Sequence, residues 1–346
     1  MGCAPSPTPA AENAGAAAPE QLTPQGPAGD TTAVLPGSRG PVTRDTTIGS
    51  LVLQPISPST GGIRIATFNV EFLFDGIEPE GAADFPWKGD TVAAANHRRG
   101  VAAIIRQLNA DVLVLQEVEH AEVLQSMVNE SLADLGYEVY YVPGRDTFTR
   151  QDIGILSRLP IDEIGRTDER APVAGGRETY GVSKNMWARL QIGEIPTTII
   201  GLHLLARPSD TRRTAQREAQ AQVIAQLIRR EIDEGREVIV IGDFNDFDPT
   251  IPDRAGSVPI ARTLAILKSA GTGLKNVMKT VPPEQRFTAL WDRNRDDQID
   301  DGELTAIDHV LLSPGLALLH SGTEFVHGHD PRHGPDHFPI VITIDR

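Results

Sequence analysis

The sequence lacks several features that would assign it to a class at once. Among 346 residues there is one cysteine, Cys3, so no disulfide can form within the chain. No apolar run reaches the length of about 20 residues that a bilayer-spanning helix requires. Aromatic residues make up only 5%, with no run resembling the exposed apolar hairpin that a membrane-active lipase would need. Acidic residues outnumber basic ones by 47 to 32, which argues against a broad basic surface for nucleic acid but not against local arginines.

Proline is abundant, but its distribution is uneven. Ten of the 26 prolines precede Gly61, in runs such as "APSPTPAAENAGAAAPE". Such a composition buries too little apolar surface to offset the entropy lost on ordering, so residues 1–61 are predicted to form a disordered tail. Residues 62–346 contain regular apolar runs and no internal repeat, and are predicted to form one large domain with a substantial core.

The first residues, "MGCAPS", allow two targeting hypotheses. Gly2 and Ser6 fit the pattern of N-myristoylation. Alternatively, Cys3 follows Met-Gly as in the end of a bacterial lipoprotein signal, and would carry a lipid with the tail as its tether. The Pro/Ala-rich tail favours the lipoprotein hypothesis over myristoylation, and an unmodified N-terminus is the remaining alternative. We therefore expect a secreted or cell-envelope protein outside the cytoplasm, a monomer that meets the membrane only through this anchor.

In the domain, strand-like and helix-like patterns alternate. Helices are predicted at 91–109, near 122–134, at 210–235 and near 260–270, from apolar residues at helical spacing. Strands are predicted at 62–71, 110–119, "YEVYYV", "IGILSR", "KNMWARLQI", "TTIIGLHLLA", "EVIVIGDFND", "AIDHVLLS" and "PIVITID". Buried strands with covering helices indicate a layered α/β or α+β fold.

Polar side chains recur where these apolar runs stop. They are Asn69, Glu117, His203, Asp243, Asn245, Asp308, His309, Asp336 and His337. A single residue of this kind is usually a cap or a turn, but so many in succession predict a site. Carboxylate and amide oxygens suit Mg²⁺ or Mn²⁺ rather than zinc, and imidazoles beside them can move protons near neutral pH.

Six stretches occur in a recognisable order: "IATFNVE", "DVLVLQEVE", "GLHL", "IGDFND", "IDHVLLS" and "PDHFPI". Together they resemble the endonuclease/exonuclease/phosphatase superfamily over residues 62–346. The resemblance implies a four-layer α/β sandwich, in which two mixed β-sheets pack face to face with helices outside. It also implies an enzyme that hydrolyses phosphate esters by in-line attack of water, with a catalytic Mg²⁺ or Mn²⁺.

The resemblance implies a role for individual residues. Glu117 would be the principal metal carboxylate, with Asn69 beside it and Asp336 as an additional metal-side carboxylate. Asp243 and Asn245 would orient the scissile phosphate, the attacking water or the leaving group.

The histidines would also be catalytic. His337, held by Asp308, would form the general base, and His203 matches a histidine found in some branches. Asp152 would lie near the substrate.

Some residues allow two interpretations. His309 is either a substrate contact or a polar strand residue. Arg207, with Arg212 and Arg213, either meets substrate phosphates or lies at a solvated helix start. The loop "HGHDPRHGPDH" contains His327, His329 and His333, whose spacing fits a cleft-edge loop better than a zinc cluster.

Three function classes remain: a metal-dependent nuclease or phosphodiesterase, a phosphatase or phospholipase-type enzyme on small or lipid phosphates, and a non-catalytic binding protein. The complete set of site residues favours an enzyme acting on a phosphate ester, with nucleic acid among the candidate partners. The sequence favours the first class, with the second as its alternative.

The stretch "DRNRDDQIDDGE", residues 292–303, has the spacing of a calcium loop. The predicted ligands are Asp292, Asn294, Asp296, Gln298 through its carbonyl, Asp300 and Glu303. The usual glycine at the sixth position is Asp297, and no exit helix is predicted. The alternative is a solvated acidic hairpin tip. Bound Ca²⁺ would be structural and separate from the catalytic metal.

Overall fold

The structure, a computed structural model, describes residues 61–271, 273–296 and 298–345. The predicted tail lies outside the described residues except for Gly61, and so does Cys3 with its proposed lipid anchor. Among the described residues, no helix combines the length and the apolar character needed to cross a membrane.

The elements follow one another in the alternating order that the sequence predicts. Strands lie at Ile63–Leu73 (β1), Val112–Val118 (β2), Glu138–Tyr141 (β3), Asp152–Ser157 (β4), Ile161–Gly165 (β5), Arg170–Pro172 (β6), Thr179–Gly181 (β7), Lys184–Ile192 (β8), Ile195–His203 (β9), Glu237–Asp243 (β10), Lys275–Asn276 (β11), Ala289–Leu290 (β12), Leu304–Thr305 (β13), Asp308–Leu312 (β14), His320–Phe325 (β15) and Ile340–Ile344 (β16). Helices lie at Thr91–Leu108 (α1), Ala121–Met127 (α2), Thr214–Asp233 (α3), Thr263–Lys268 (α4) and Pro314–Leu319 (α5).

Two mixed sheets carry the fold. In the described residues, one six-stranded sheet has the order β15-β16-β1-β2-β4-β3, and the other has the order β11-β14-β10-β9-β8-β5. Each contains one parallel pair, β1 with β2 and β9 with β10, while its other neighbours are antiparallel. In each parallel pair the C-terminal ends of both strands lie side by side at one edge of the sheet, so the residues at these ends are brought close together.

The sheets pack face to face through an apolar layer. Ile65 and Val114 of the first sheet share one buried cluster with Ile199 and Ile241 of the second. Because both faces of these strands are covered, their sequences are nearly continuous apolar runs rather than alternating ones. Each such side chain stabilises the fold by about 1.5–3 kcal/mol through burial.

Helices cover the outer faces. Ile105 of α1 and Leu124 of α2 belong to the cluster on the first sheet, and Ile224 of α3 and Leu267 of α4 belong to the cluster on the second. Asp90 caps α1 by accepting hydrogen bonds from the backbone N–H groups of Val92 and Ala93. The predicted four-layer α/β sandwich is confirmed.

Some predicted elements differ from the structure. The helix expected near 122–134 is α-helical only to Met127 and continues as a π-helix, Val128–Leu132. In the stretch "RFTALW" only Ala289–Leu290 (β12) is a strand, and it pairs with β13 in a short hairpin. The helix α5 and the edge strand β15 were not predicted, because the stretch that forms them is short and β15 is mostly half-exposed.

Candidate active site

Four polar side chains lie at the ends of the two parallel strand pairs. Asn69 lies on β1, Glu117 near the end of β2, and His203 and Asp243 end β9 and β10. Parallel strands deliver their last residues to the same edge of a sheet. Because the two sheets are stacked, the side chains from both pairs meet.

Glu117 is held in one orientation by its neighbours. Its backbone has φ 66°, and the pairing register of β2 shifts between Gln116 and Val118. Its carboxylate accepts hydrogen bonds from Asn69 Nδ2 at 3.2 Å, Phe72 N at 3.0 Å and Gln151 Nε2 at 2.6 Å. Burial raises the pKa of Glu117, although Lys184 opposes the shift. A strained, fixed carboxylate of this kind is typical of functional sites.

Asp243 and Asn245 are arranged by the turn that ends β10. Asn245 has φ 47°, and its backbone N–H donates to Asp243 Oδ1 at 2.8 Å. Asp243 Oδ2 accepts from Asn69 Nδ2 at 3.1 Å, so the single amide of Asn69 links Glu117 to Asp243. Burial and the carboxylate of Asp308 raise the pKa of Asp243 to about 7. Asp243 can therefore exchange a proton near neutral pH.

His337 forms a buried pair with Asp308. Its Nδ1 lies 2.7 Å from Asp308 Oδ2, and Asp308 faces Asp243 across the antiparallel pair of β14 and β10. Its Nε2 lies 3.9 Å from Asp243 Oδ2 and 3.9 Å from Asp336 Oδ1. Burial alone would lower the pKa of His337, but these three carboxylates outweigh it and hold the pKa well above its ordinary value. These carboxylates therefore favour the protonated form of His337.

His203 lies between the two acidic positions. Its Nε2 is 3.5 Å from Asp243 Oδ2, and its Nδ1 is 4.0 Å from Glu117 Oε1. Burial, with the positive charges of Lys184 and His337, keeps the pKa of His203 well below its ordinary value. The surroundings of the two histidines thus shift their pKa values in opposite directions, favouring neutral His203 and protonated His337.

The residues fit a divalent cation. Asp243, Asp308 and His337 are buried and each offers a ligand atom, these atoms lying within 4.8 Å of one another. On the Glu117 side, Glu71 and Asp336 add two further carboxylates: burial and the charges of Asp336 and Glu117 raise the pKa of Glu71 to about 9. Clustered carboxylate oxygens of this kind suit Mg²⁺ or Mn²⁺.

Glu71 was not among the predicted site residues. It lies two positions after Asn69, and Glu71 and the next residue, Phe72, both have positive φ, 48° and 49°. The sequence shows that Glu71 is a carboxylate close to Asn69, in the stretch "NVE". It does not show the change in backbone direction that turns this carboxylate toward Glu117 and Asp336.

Two further positioning residues were also missed. Gln151 donates to Glu117, and Lys184 Nζ donates to Gln151 Oε1 at 2.8 Å. The adjacent residue Asp152, which was predicted to lie near the substrate, does not contact Glu117. Its Oδ2 accepts hydrogen bonds from Tyr141 Oη at 2.5 Å and Gly144 N at 2.8 Å. The structure thus places Asp152 beside a different cavity.

A cleft of about 700 Å³ opens beside His337, Asp336 and Asn245. Arg207 and Trp291 are among the residues that line it. Within the described parts of the chain, no hydrogen bond or ion pair engages the Arg207 guanidinium, whereas Arg212 and Arg213 both pair with Asp210. Of these predicted arginines, Arg207 is the one available to an anionic substrate.

Other predicted polar residues have structural contacts. His309 is fully buried, with Nε2 2.9 Å from the Asp246 carbonyl and Nδ1 3.2 Å from Asn276 Nδ2, so it is a strand residue rather than a substrate contact. His327 stacks on Phe287 with ring centroids 3.6 Å apart.

The predicted calcium ligands lie in the tip of the hairpin between β12 and β13. The Glu303 carboxylate accepts from Arg293 N at 2.9 Å and Asp300 N at 3.2 Å, and Asp292 Oδ1 accepts from Arg295 N at 2.5 Å. Within the described residues, the groups of three His, Cys, Asp or Glu side chains close enough to share an ion lie elsewhere. Calcium binding through Asp292, Asn294, Asp296, Gln298, Asp300 and Glu303 stays a prediction.

Comparison with known proteins gives one family and several similar folds. A model of the Endonuclease/Exonuclease/phosphatase family matches residues 66–330. No curated protein sequence matches the chain.

Solved structures with the same fold have low sequence identity. An AP endonuclease from Archaeoglobus fulgidus is 14% identical, with a TM-score of 0.56 over 82% of this chain and 100% of its own. The 3'-5' exonuclease NExo from Neisseria meningitidis is 17% identical, with a TM-score of 0.54 over 82% and 100%. Humanized D. rerio TDP2 is 17% identical, with a TM-score of 0.53 over 82% and 99%.

Proposed function

The chain belongs to the endonuclease/exonuclease/phosphatase family of phosphoric ester hydrolases, and we propose that it is a divalent-metal-dependent phosphodiesterase acting on nucleic acid. The observation that carries the proposal is the convergence of Glu117, Asp243 and the Asp308–His337 pair beside a cleft lined by Arg207. A fixed carboxylate, a proton acceptor and an imidazolium can together assist the hydrolysis of a phosphate ester.

Glu117, Glu71 and Asp336 would hold the catalytic Mg²⁺ or Mn²⁺. The electrostatic coupling among these three carboxylates supports this assignment. Asn69 acts as a positioning residue, since its NH₂ group donates to both Glu117 and Asp243. When bound, the ion neutralises charge that develops on the phosphate oxygens.

Asp243 is the proposed proton acceptor. The oxygen of a water molecule forms a bond to phosphorus as the P–O bond to the leaving group breaks, and the proton of the water passes to Asp243. The pKa of Asp243, about 7, suits a general base near neutral pH. Asn245, fixed by its bond to Asp243, presents its amide at the same edge.

His337 is proposed to act as a cation rather than as the base. The sequence interpretation made the Asp308–His337 pair the general base; the raised pKa of His337 favours instead the imidazolium, which has no lone pair to accept a proton. The imidazolium Nε2–H points toward the acidic cluster and would donate to a phosphate oxygen. Asp308 fixes the ring and preserves its charge.

Nucleic acid is favoured over small or lipid phosphates by the cleft. Trp291 is 54% exposed and lines it together with Arg207, which offers a stacking surface beside a phosphate-binding cation. Similar folds include TDP2 with a single-strand DNA product and the 3' phosphatase NExo with a product DNA hairpin, which supports the same substrate class.

The test is a substrate panel offered to the metal-stripped protein with Mg²⁺, Mn²⁺ or EDTA. It contains plasmid DNA, labelled single- and double-stranded oligonucleotides, sphingomyelin and inositol phosphates. Cleavage of oligonucleotides with Mg²⁺ and none with EDTA is expected. Turnover of sphingomyelin or inositol phosphates without cleavage of nucleic acid would replace the proposed substrate class with the alternative one.

A further inference from the structure

A second group of metal-ligating side chains lies outside the active site. Asp75, Glu119 and His120 each place a ligand atom within 4.8 Å of the others. His120 Nε2 lies 3.5 Å from Asp75 Oδ2 and 3.6 Å from Glu119 Oε2. One imidazole nitrogen and two carboxylate oxygens therefore converge on one point.

This group is separate from the site built on Glu117. The positive φ of Glu117 and the register shift at the end of β2 interrupt the regular alternation of side chains. The carboxylate of Glu119 accepts from Asp75 N at 3.1 Å, whereas that of Glu117 accepts from Phe72 N at 3.0 Å. The Glu117 carboxylate thus accepts from a backbone N–H near the end of β1, and the Glu119 carboxylate accepts from one just after it, so the two acids lie at different positions.

His120 has a partner that orients it for metal binding. Its Nδ1 lies 3.2 Å from Glu122 Oε2 and 3.3 Å from Val123 N. Metal binding through Nε2 would place the proton on Nδ1, which would then donate to Glu122 Oε2 and give up the helix-cap hydrogen bond that it accepts from Val123 N. Histidines that bind metals usually donate their other ring N–H to a carboxylate in this way.

We propose that Asp75, Glu119 and His120 bind a divalent transition-metal ion, Zn²⁺ or more weakly Mn²⁺, in addition to the active-site metal. Imidazole favours zinc-like ions over Mg²⁺, and the two carboxylates supply the negative charge. Three protein ligands leave a coordination position open, as in zinc sites that also bind a small molecule.

The cavity beside this group supplies an independent observation. It has a volume of about 870 Å³, and Glu119, His120 and Asp152 are among its lining residues. Asp152 is 8% exposed, and its Oδ1 is buried with no hydrogen-bond partner among the described residues. Tyr141 Oη lies 3.0 Å from the Glu119 carbonyl and 2.5 Å from Asp152 Oδ2, which links this acid to the metal group. Asp152 Oδ1 itself is enclosed beside the Gly144 backbone, so the cavity meets the metal group through Glu119 and His120.

Metal stoichiometry tests the proposal without any measurement of activity. The full chain is stripped with EDTA, loaded with Zn²⁺, dialysed and analysed by elemental mass spectrometry, and its affinity for Zn²⁺ is measured by calorimetry. His120→Asn keeps a side-chain acceptor for the helix cap at Val123 but removes the imidazole. Glu119→Gln and Asp75→Asn remove one charge each. His333→Asn, at a histidine 3.2 Å from Asp330 in the C-terminal loop, is the matched control.

Each of the three variants is expected to bind one equivalent of Zn²⁺ fewer than the wild type, or to bind it at least about 100-fold more weakly. His333→Asn should match the wild type, and Glu117→Gln should leave this equivalent in place. Unchanged stoichiometry and affinity in the three variants would overturn the proposal. The absence of an anomalous zinc peak at these residues in zinc-soaked crystals of the wild type would do the same.

Discussion

Replacing Asp308 by Asn should separate the charge of His337 from its position. The change keeps the volume of a side chain that is 2% exposed and removes the carboxylate 2.7 Å from His337 Nδ1. A hydrogen bond to a charged group contributes about 1.5–3 kcal/mol, or about 10- to 100-fold in rate if it acts in the transition state. Loss of the imidazolium adds to this. We expect kcat to fall by about 10²–10⁴-fold, the range of a proton-transferring or charge-stabilising group.

The pH profile gives the sign of the effect. The pKa of His337 is raised, so the cation is present below that pKa and is lost as the pH rises through it. Asp308→Asn removes the main cause of the raised value. The alkaline limb of kcat should therefore move to lower pH, measured by initial rates on an oligonucleotide between pH 5 and pH 10.

A matched control is available in the C-terminal loop. Asp330 lies 3.2 Å from His333 Nδ1, outside the cleft, so Asp330→Asn makes the same chemical change beside another histidine. It should leave kcat and the pH limbs unaltered. If Asp308→Asn keeps kcat within threefold of the wild type and its alkaline limb does not move, the proposed role of the pair is wrong.

Three further changes test other parts of the account. Glu117→Gln should raise the Mg²⁺ concentration required for half-maximal activity, measured by metal titration; an unaltered requirement would remove Glu117 from the metal site. Ca²⁺ should raise the melting temperature by binding the folded state, and Asp292→Ala with Glu303→Ala should abolish that rise while Mg²⁺ dependence persists. Glu303 also accepts hydrogen bonds from two backbone N–H groups, so its replacement can lower the melting temperature without any metal. The rise with Ca²⁺ is therefore measured for each protein relative to the same protein in EDTA. A rise that persists in the double variant would exclude the loop as the calcium site. Removal of residues 1–60 should leave soluble activity intact, and a large loss of activity in the shortened chain would contradict the tether hypothesis.

The polar residues at the strand ends could be predicted from the sequence because the pattern that marks them, an apolar run followed by a polar residue, is local. A buried strand that ends in Asp243 or Glu117 must satisfy the carboxylate at its end, and the apolar run marks where that end lies. The layered fold followed from the same runs, since continuous apolar strands must be covered on both faces.

The contacts around Glu117 could not be predicted in this way. Gln151 and Asp152 are adjacent, and successive residues of a strand point to opposite faces. An error of one position in the predicted alignment therefore selects Asp152, which lies beside another cavity, instead of Gln151, which contacts Glu117. Lys184 reaches Gln151 from a strand of the other sheet, a contact fixed only when the sheets pack. The positive φ at Glu71 and Phe72 is likewise set by tertiary structure.

The charge state of His337 also depended on packing. A motif identifies a histidine and an aspartate, but it does not show how many carboxylates surround the ring. The structure places Asp308, Asp336 and Asp243 near His337, and their summed charge holds its pKa above the ordinary value. For this reason the proposed base is Asp243 rather than the predicted Asp308–His337 pair.

The central claim is that water attacks phosphorus at this site with a divalent cation present. The most direct test is hydrolysis of a defined oligonucleotide in H₂¹⁸O with Mg²⁺, followed by mass spectrometry of both products. The account predicts one ¹⁸O atom in the phosphate-bearing product per cleavage and no reaction in EDTA. Label in the alcohol product, or equal cleavage in EDTA, would contradict it.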